Sequence, residues 1–332
     1  MQGEEALLAT DLPVWLVRTV ALLFGALWGS FFNVAIYRWP RAMSVVRPPS
    51  HCPACGAPVR WYLNVPILGY LVMRGRARCC GEKLTPRYVW VEALSGVLGL
   101  AVAERFFVQA EPSLSAASAG LETALYFTFV GGLIVATFVD LEWMEIPDEV
   151  SLPGAALGLA TVGLRTGPGA LSAAVGAGVG FLIVQVLFVW TYELLTGRRG
   201  MGEGDAKLLL FIGAFLGWEA VLFALVAGSF QGLIVAGLAT AFGAPLVPTP
   251  PAEPPIEASP GSAGVSAHAL EGAPSPAAGE LAPGHANDEK SEVTAQSSAP
   301  MMVFGPMLAL SALEFLFFGD AIVSWVSFRL AG

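Results

Sequence analysis

The sequence predicts an all-α, polytopic membrane protein that also carries a small cysteine-containing module outside the bilayer. Of its 332 residues, 55% are hydrophobic and only 13% are charged, and the mean hydropathy is +0.66. Several apolar segments approach the roughly 20 residues that a helix needs to cross a hydrocarbon core of about 30 Å. The alternative is a soluble protein with very apolar core helices. Repeated apolar runs of this length are not typical of such proteins, so we prefer the membrane interpretation.

The apolar segments predict about eight transmembrane helices. They lie at roughly 14–38, 88–105, 121–140, 151–166, 171–195, 206–218, 220–243 and 302–328. The chain accordingly divides into a first span (1–40), a cysteine-containing module (41–87), a transmembrane core (88–243), a Pro/Ala-rich insert (244–300) and a last span (301–332). The insert is expected to be disordered, because it cannot bury enough apolar surface to offset its conformational entropy.

Basic residues between the first two spans predict the orientation of the chain. They are Arg38, Arg41, Arg47, Arg60, Arg74, Arg76, Arg78, Lys83 and Arg87, and only Glu82 opposes them. Loops rich in Lys and Arg stay in the cytoplasm, so the module should be cytoplasmic. Counting spans forward places the loops near 141–150 and 197–204 on the same side. Nothing in the sequence resembles a basic nucleic-acid groove, so a nucleic-acid partner is not expected.

Two aspartates stand where a predicted span meets the cytoplasmic face. Asp140 ends an apolar run that begins at Gly131, and Asp205 follows Gly202 and Gly204 directly before another apolar run. Ionisable groups at membrane depth are costly, so each is a candidate functional residue. Two carboxylates at close range can share a proton and activate water, as in aspartic proteases. The alternative for Asp205 is a simple helix N-cap, and for Asp140 an interfacial residue.

The four cysteines of the chain, Cys52, Cys55, Cys79 and Cys80, all lie in the module. Clustered cysteines in a reducing compartment are more often metal ligands than disulfides. Cys52-x-x-Cys55 is a good half-site for a tetrahedral, structural zinc ion. The neighbouring Cys79 and Cys80 complete the site only if the backbone turns both sulfurs inward, with His51 as a further candidate ligand. A module without metal remains the alternative.

Several ordered motifs give the chain a resemblance to the type IV prepilin peptidases, also called leader peptidase/N-methyltransferases, which are GxGD-type membrane aspartic proteases. The matching segments are Gly29–Pro40, Cys52–Gly56, Arg60–Pro66, Arg87–Gly96, Asp140–Leu141, Ile146–Asp148, Gly202–Lys207 and Phe304–Pro306. The resemblance covers nearly the whole chain apart from the insert. It places the two catalytic aspartates of the family on Asp140 and Asp205. It also marks supporting motif residues, which are Gly202, Gly204, Lys207, Pro147 and Asp148.

The resemblance implies an enzyme of the bacterial inner membrane with its catalytic site at the cytoplasmic face. Such an enzyme cleaves the short basic leader of type IV prepilins or pseudopilins. It then methylates the new N-terminus with S-adenosylmethionine, and the module is associated with this second step. One departure is that Ala77 stands where the family has the first cysteine of a second C-x-x-C pair. This departure puts both the zinc site and methyl transfer in question.

The loop after Asp140 is acidic and lacks a basic residue. We hypothesise that Glu142, Glu145 and Glu149 form an anionic lip that attracts the basic leader. The alternative is that these are ordinary solvated loop acids.

Three other functions remain alternatives at this point. One is a peptidase without methyl transfer, and another is a related protease acting on archaellin-type precursors. The third is an ion-coupled transporter that uses Asp140 and Asp205 as its ion site. Transporters usually show internal repeats and a site near the bilayer midplane, and this sequence shows neither.

Overall fold

The structure is a computed structural model that describes residues 8–52, 54–197, 202–243 and 303–331. Over these residues the regular secondary structure is helical, accompanied by three isolated β-bridges. The helices are α1 (Val14–Arg38), α2 (Leu68–Met73), α3 (Arg87–Ala103), α4 (Ala116–Trp143), α5 (Asp148–Ala160), α6 (Ala170–Leu182), α7 (Tyr192–Thr196), α8 (Glu203–Leu216), α9 (Trp218–Phe242) and α10 (Gly305–Ala331). A π-helical segment, Ile183–Thr191, joins α6 to α7. The prediction of an all-α membrane protein is confirmed.

Within the part of the chain that the structure describes, five helices are long and apolar enough to cross a membrane. They cover Val14–Arg41, Ala116–Trp143, Ala170–Thr196, Trp218–Phe242 and Gly305–Arg329. The other three predicted spans are helices too, but α3, α5 and α8 have only 17, 13 and 14 residues. The predicted count of eight spans is therefore not confirmed. The predicted insert 244–300 lies outside the described residues, as do Arg198 and Arg199 of the predicted loop near 197–204.

Helix α8 lies inside the bundle, where it packs against α5, α6, α9 and α10. Most of its residues are buried, including Phe211 and Phe215. Both rings contact Phe129 of α4, at centroid distances of 5.0 and 4.8 Å. On the α6 side, a Cβ added to Gly213 would overlap the backbone of Gly176. Small residues at such crossings let helix backbones approach closely, which membrane helices use in place of a hydrophobic driving force.

A buried arginine holds the far end of α8. Arg165 donates to the carbonyl oxygens of Phe215 and Ala214 at 2.8 and 3.2 Å, and to that of Gly158 at 2.6 Å. These bonds satisfy carbonyls at the C-terminus of α8 that have no partner inside the helix. The position of α8 along the bundle is fixed by this contact, and the opposite end of the helix carries Asp205.

The helix ends gather into two opposite ends of the bundle, and the cysteine-containing module lies at one of them. We call this the module end. Here Arg87 at the start of α3 pairs with Glu142 at the end of α4, and Lys207 of α8 pairs with Asp148 of α5. At the other end, Arg18 of α1 pairs with Glu104 beyond α3 at 2.8 Å. These contacts agree with the sequence prediction, in which successive spans run in opposite directions.

Candidate active site

Asp140 lies in the last turn of α4 and is 6% exposed. The backbone N–H of Gly305, the first residue of α10, donates a hydrogen bond to Oδ2 of Asp140 at 3.0 Å. A Cβ added to Gly305 would overlap the same oxygen. The first residue of one helix therefore fixes the carboxylate at the end of another, and only glycine leaves room for this contact.

Asp205 is the third residue of α8 and is 8% exposed. Gly202 is the N-cap of the helix, and a Cβ added to it would lie 3.7 Å from Oδ2 of Asp205. The start of α8 and the site of Asp140 both pack against Ile146, so the two carboxyl groups lie near each other. The structure thus brings together two buried acids that are far apart in the sequence, both at the module end of the bundle.

Ile146 connects the two loops that carry these acids. A Cβ added to Gly204 would lie 3.0 Å from Cβ of Ile146, and one added to Gly305 would lie 3.1 Å from its Cδ1. The buried Ile146 therefore packs between the start of α8 and the start of α10, next to both carboxylates. The absence of a side chain at Gly204 is what allows this close packing.

The motif residues after Asp140 join α5 to α8. Pro147 is the buried N-cap residue of α5, and Asp148 begins that helix. Nζ of Lys207 lies 2.6 and 2.8 Å from the two carboxylate oxygens of Asp148. An exposed pair of this kind contributes about 0–1 kcal/mol to stability. The pair connects α5 to α8 close to the site, since Lys207 lies two residues after Asp205.

The four cysteine sulfurs of the module gather in one cluster, all within 4.8 Å of one another. Three of the separations are 3.7 Å (Cys52–Cys80), 3.3 Å (Cys55–Cys79) and 3.9 Å (Cys79–Cys80). Four sulfurs about 2.3 Å from a tetrahedral zinc ion would be about 3.8 Å apart. The residues present therefore fit a four-sulfur metal site. His51 is not part of this group.

Two similar turns present these sulfurs. The carbonyl of Cys52 accepts from the N–H of Gly56, and that of Ala77 accepts from the N–H of Gly81, both at 2.8 Å. Both glycines have a positive φ, 69° and 76°, which favours glycine at these positions. Ala77 occupies the place in the second turn that Cys52 has in the first. Cys79 supplies the fourth sulfur that Ala77 lacks.

Comparison with known proteins decides the family. Residues 23–106 match the family model described as the bacterial peptidase A24 N-terminal domain, and residues 127–237 match that of the type IV leader peptidase family. A prepilin leader peptidase/N-methyltransferase of Aeromonas hydrophila is 35% identical over 254 residues, which are 68% of this chain and 83% of that protein. This chain belongs to the type IV leader peptidase family.

Other members of the leader peptidase family show similar agreement. The prepilin leader peptidase/N-methyltransferase of Klebsiella pneumoniae is 36% identical over 60% of this chain and 85% of its own length. That of Myxococcus xanthus (strain DK1622) is 38% identical over 62% of this chain and 58% of its own length. No solved structure matches the chain. The family resemblance read from the sequence motifs is confirmed.

The acids in the loop after Asp140 differ in whether they have a cationic partner. Arg87 pairs with Glu142, and Lys207 pairs with Asp148. Glu145 and Glu149 are exposed and have no polar side-chain partner within the described ranges. The lip predicted from three glutamates is thus reduced to two uncompensated ones, because a cation from α3 neutralises Glu142.

A cavity of about 520 Å³ separates the module from α1 and α3. Its walls include Asn33 and Tyr37 of α1, Tyr88 and Glu92 of α3, and Tyr62 and Tyr70 of the module. Its size is typical of small-molecule sites. This cavity is where the leader peptidase could hold a cofactor, and no Gly-rich nucleotide motif in the sequence points to it.

Sequence reasoning missed the roles of Gly305 and Ile146. In the sequence, both stand only within family motifs, which assign them no function. A signal for Gly305 exists, since Gly-Pro at the start of a helix often marks an exposed N-terminal N–H group. Its acceptor, Asp140, lies 165 positions earlier in the chain, and no local pattern reveals such a contact.

Proposed function

We propose that this chain is a prepilin peptidase that also methylates its product, with Asp140 and Asp205 as the catalytic pair. The observation that carries the proposal is that two buried carboxylates lie near each other at one end of a bundle of membrane helices. The family relatives, which are named prepilin leader peptidase/N-methyltransferase, supply the substrate class and the second activity. The substrates that we propose are prepilins or pseudopilins.

Peptide hydrolysis by the pair needs one ionised and one protonated carboxyl group. The ionised group takes a proton from a water molecule as its oxygen bonds to the scissile carbonyl carbon. The protonated group then supplies a proton to the nitrogen that leaves when the C–N bond breaks. The N–H of Gly305 orients Asp140 for this step, and Asp205 lies in the first turn of α8.

The location of the site follows from the same arrangement. The basic module and both carboxylates share one end of the bundle, and basic loops remain in the cytoplasm. We therefore place the catalytic site at the cytoplasmic face of the bacterial inner membrane. A prepilin would present its basic leader there while the apolar segment that follows stays in the bilayer.

S-adenosylmethionine is the methyl donor that N-methylation implies. It supplies a methyl group bound to a positively charged sulfur, which an amine nitrogen can attack. The cavity between the module, α1 and α3 offers room and polar groups for it.

The cysteine cluster is proposed as a structural zinc site in which Cys79 replaces the missing ligand at Ala77. We expect Cys79→Ser to lower the zinc content of purified protein from about one ion per chain to well below one, since a ligand is lost. Restoring a C-x-x-C pair with Ala77→Cys in the same chain should bring the zinc back. Elemental analysis of the purified variants measures both effects.

His51→Ala is the control for this experiment, because His51 lies beside the cluster and outside it. It should keep full zinc content. Unchanged zinc in Cys79→Ser would show that Cys79 is not a ligand.

Glu145 and Glu149 are proposed to attract the basic leader. Reversing both charges, with Glu145→Lys and Glu149→Lys, should raise KM for a basic leader about five-fold or more and leave kcat nearly unchanged. The salt dependence of KM should weaken in the same variant. Steady-state cleavage at low and high ionic strength measures both quantities.

Glu111→Lys is the control, since it reverses one glutamate charge in the loop before α4, at the opposite end of the bundle. A leader with its basic residues neutralised should be cleaved equally by all three proteins. Identical KM values for the basic leader in variant and wild type would show that Glu145 and Glu149 do not attract the leader.

The test of the whole proposal uses purified full-length protein, a prepilin and labelled S-adenosylmethionine in one assay. Cleavage appears as a mass loss equal to the leader, and methylation as label in the mature product. Cleavage without label would indicate a peptidase that has lost methyl transfer. Neither product would leave the ion-coupled transporter as the better interpretation of the two carboxylates.

A further inference from the structure

We propose that the cavity between the module, α1 and α3 is the methyl-transfer site. In this site Glu92 holds the positively charged methyl donor and accepts the proton of the substrate amine. The inference rests on the proposed function and adds a location and a residue to it. Three features of the cavity carry it, which are a buried acid without a cation, an aromatic wall and a position next to the carboxylate pair.

Glu92 is the one carboxylate among the residues that line the cavity, and it is 7% exposed. Its Oε2 accepts a hydrogen bond from the backbone N–H of Ile67 at 2.7 Å, and the hydroxyl of Ser30 also approaches it. No Lys, Arg or His pairs with it in the described part of the chain. A buried carboxylate normally has a positive partner. A cationic ligand would supply the missing charge.

Ile67, which donates this hydrogen bond to Glu92, has a strained backbone conformation. Ile67 has φ 61° and ψ -51°, a region that β-branched residues rarely adopt. Such strain persists only where the surroundings hold it, and it concentrates at functional sites. Here it directs the N–H of Ile67 to Glu92 and so fixes the start of α2 against α3. The carboxylate is held in place before any ligand arrives.

The walls of the cavity suit a ligand that carries both a sulfonium ion and an adenine ring. Four of the six tyrosines of the chain line it, and aromatic faces attract cations and stack on flat heterocycles. Asn33 lies in the same wall and is 3% exposed, and its Oδ1 has no hydrogen-bond partner among the described residues. Unsatisfied buried oxygens are uncommon in native structures, and one in a cavity wall suggests a missing donor.

The charges along the cavity fit a ligand with a cation at one end and a carboxylate at the other. Glu92 is buried, whereas Arg78 lines the cavity from its exposed side. The described residues provide no polar partner for Arg78. The amino-acid part of S-adenosylmethionine carries the carboxylate that Arg78 would meet. Arg38 and Arg60 also line the cavity, but both donate hydrogen bonds to groups of the module.

The cavity is linked to the carboxylate pair by direct contacts. The guanidinium of Arg41 lies 4.1 Å from the ring of Tyr37, in the cavity wall, and 4.7 Å from the ring of Trp143. Trp143 follows Asp140 by three residues on α4. A product whose N-terminus is released at Asp140 would therefore not have to cross the bundle to reach the cavity.

The reaction in this site is a simple transfer. The carboxylate of Glu92 takes a proton from the N-terminal ammonium of the product, which leaves a neutral amine. The amine nitrogen then forms a bond to the methyl carbon as the carbon–sulfur bond breaks. The electron pair of that bond stays on sulfur, the positive charge moves to nitrogen, and Glu92 later releases its proton to solvent.

Glu92→Gln tests the proposal, because the amide keeps an acceptor for Ile67 and removes only the charge. We expect methylation to fall at least about fifty-fold while cleavage stays within about two-fold of wild type. A second measurement is independent of turnover and uses calorimetry with two stable analogues. Sinefungin carries a positive charge in place of the sulfonium, and S-adenosylhomocysteine is neutral there. Wild type should prefer sinefungin, and Glu92→Gln should lose about ten-fold of that preference.

Glu111→Gln is the control and should match wild type in every measurement, since Glu111 is exposed in the loop before α4. Tyr62→Ala should weaken binding of both analogues and leave cleavage unchanged. An equal loss of cleavage and methylation in Glu92→Gln would overturn the proposal, as would an unchanged preference between the analogues. A wild-type protein that cleaves nothing would instead contradict the proposed function.

Discussion

Asp140→Asn and Asp205→Asn are each expected to reduce leader cleavage by about a thousand-fold or more. The change keeps the size of each side chain and leaves Gly305 an oxygen to bond, so the fold should be retained. It removes a group that must accept or donate a proton during hydrolysis. Single-turnover cleavage of a prepilin by purified protein measures the effect. Loss of either partner should be nearly as severe as loss of both, because the two groups act as a unit.

Asp320→Asn is the matched control for these variants. Asp320 is exposed and pairs with Arg105 at 2.5 Å at the end of the bundle opposite to the module. It should cleave at the wild-type rate. Both catalytic variants should still methylate a synthetic product that already lacks its leader, because the cavity with Glu92 is unchanged. Cleavage at the wild-type rate by either Asn variant would show that the two carboxylates are not the catalyst.

Gly305→Ala is expected to reduce kcat for cleavage about a hundred-fold with little loss of stability. A Cβ at this position would overlap Oδ2 of Asp140, and the carboxylate would have to rotate away from the N–H that holds it. The end of a side chain yields easily, so the fold survives. A misplacement of about 1 Å at a reacting group can cost about a hundred-fold in rate. Cleavage kinetics and a thermal unfolding curve separate the two effects.

Gly178→Ala is the control for that change. Gly178 lies within α6, and a Cβ there would meet no atom within 4 Å. The substitution should leave cleavage unchanged and keep or slightly raise stability, because alanine favours a helix over glycine. Near-normal kcat in Gly305→Ala would mean that the contact with Asp140 is not needed for cleavage. A severe loss of thermal stability in Gly305→Ala would mean that the packing at the start of α10 is structural.

The acidic loop after Asp140 shows which charges the sequence can predict and which depend on tertiary contacts. Sequence alone identifies Glu142, Glu145 and Glu149 as an unusual group of acids. It gives no sign that Glu142 is compensated, because its partner Arg87 begins a helix 55 positions earlier. Charge in a loop is visible in the sequence, but the charge that remains after pairing depends on which helices meet. Only two of the three glutamates therefore remain in the leader-binding proposal.

The cysteine module shows the reverse case, in which the structure resolves an ambiguity. The family pattern places a cysteine at position 77, and this chain has alanine there. From spacing alone, Cys79 and Cys80 were an uncertain replacement, since neighbouring side chains usually point apart. The backbone turn that ends at Gly81 brings both sulfurs to the cluster. Four ligand-type sulfurs are present in spite of the altered motif.

What the sequence determined by itself is the class of molecule, the family and the two candidate acids. Apolar runs, basic loops and short motifs are local, and they follow from what a bilayer demands of each segment separately. Tertiary structure decided the contacts that make a site, such as Gly305 on Asp140, Arg87 on Glu142 and Ile67 on Glu92. Each of these joins segments distant in the chain, and packing of the whole bundle sets which distant groups meet.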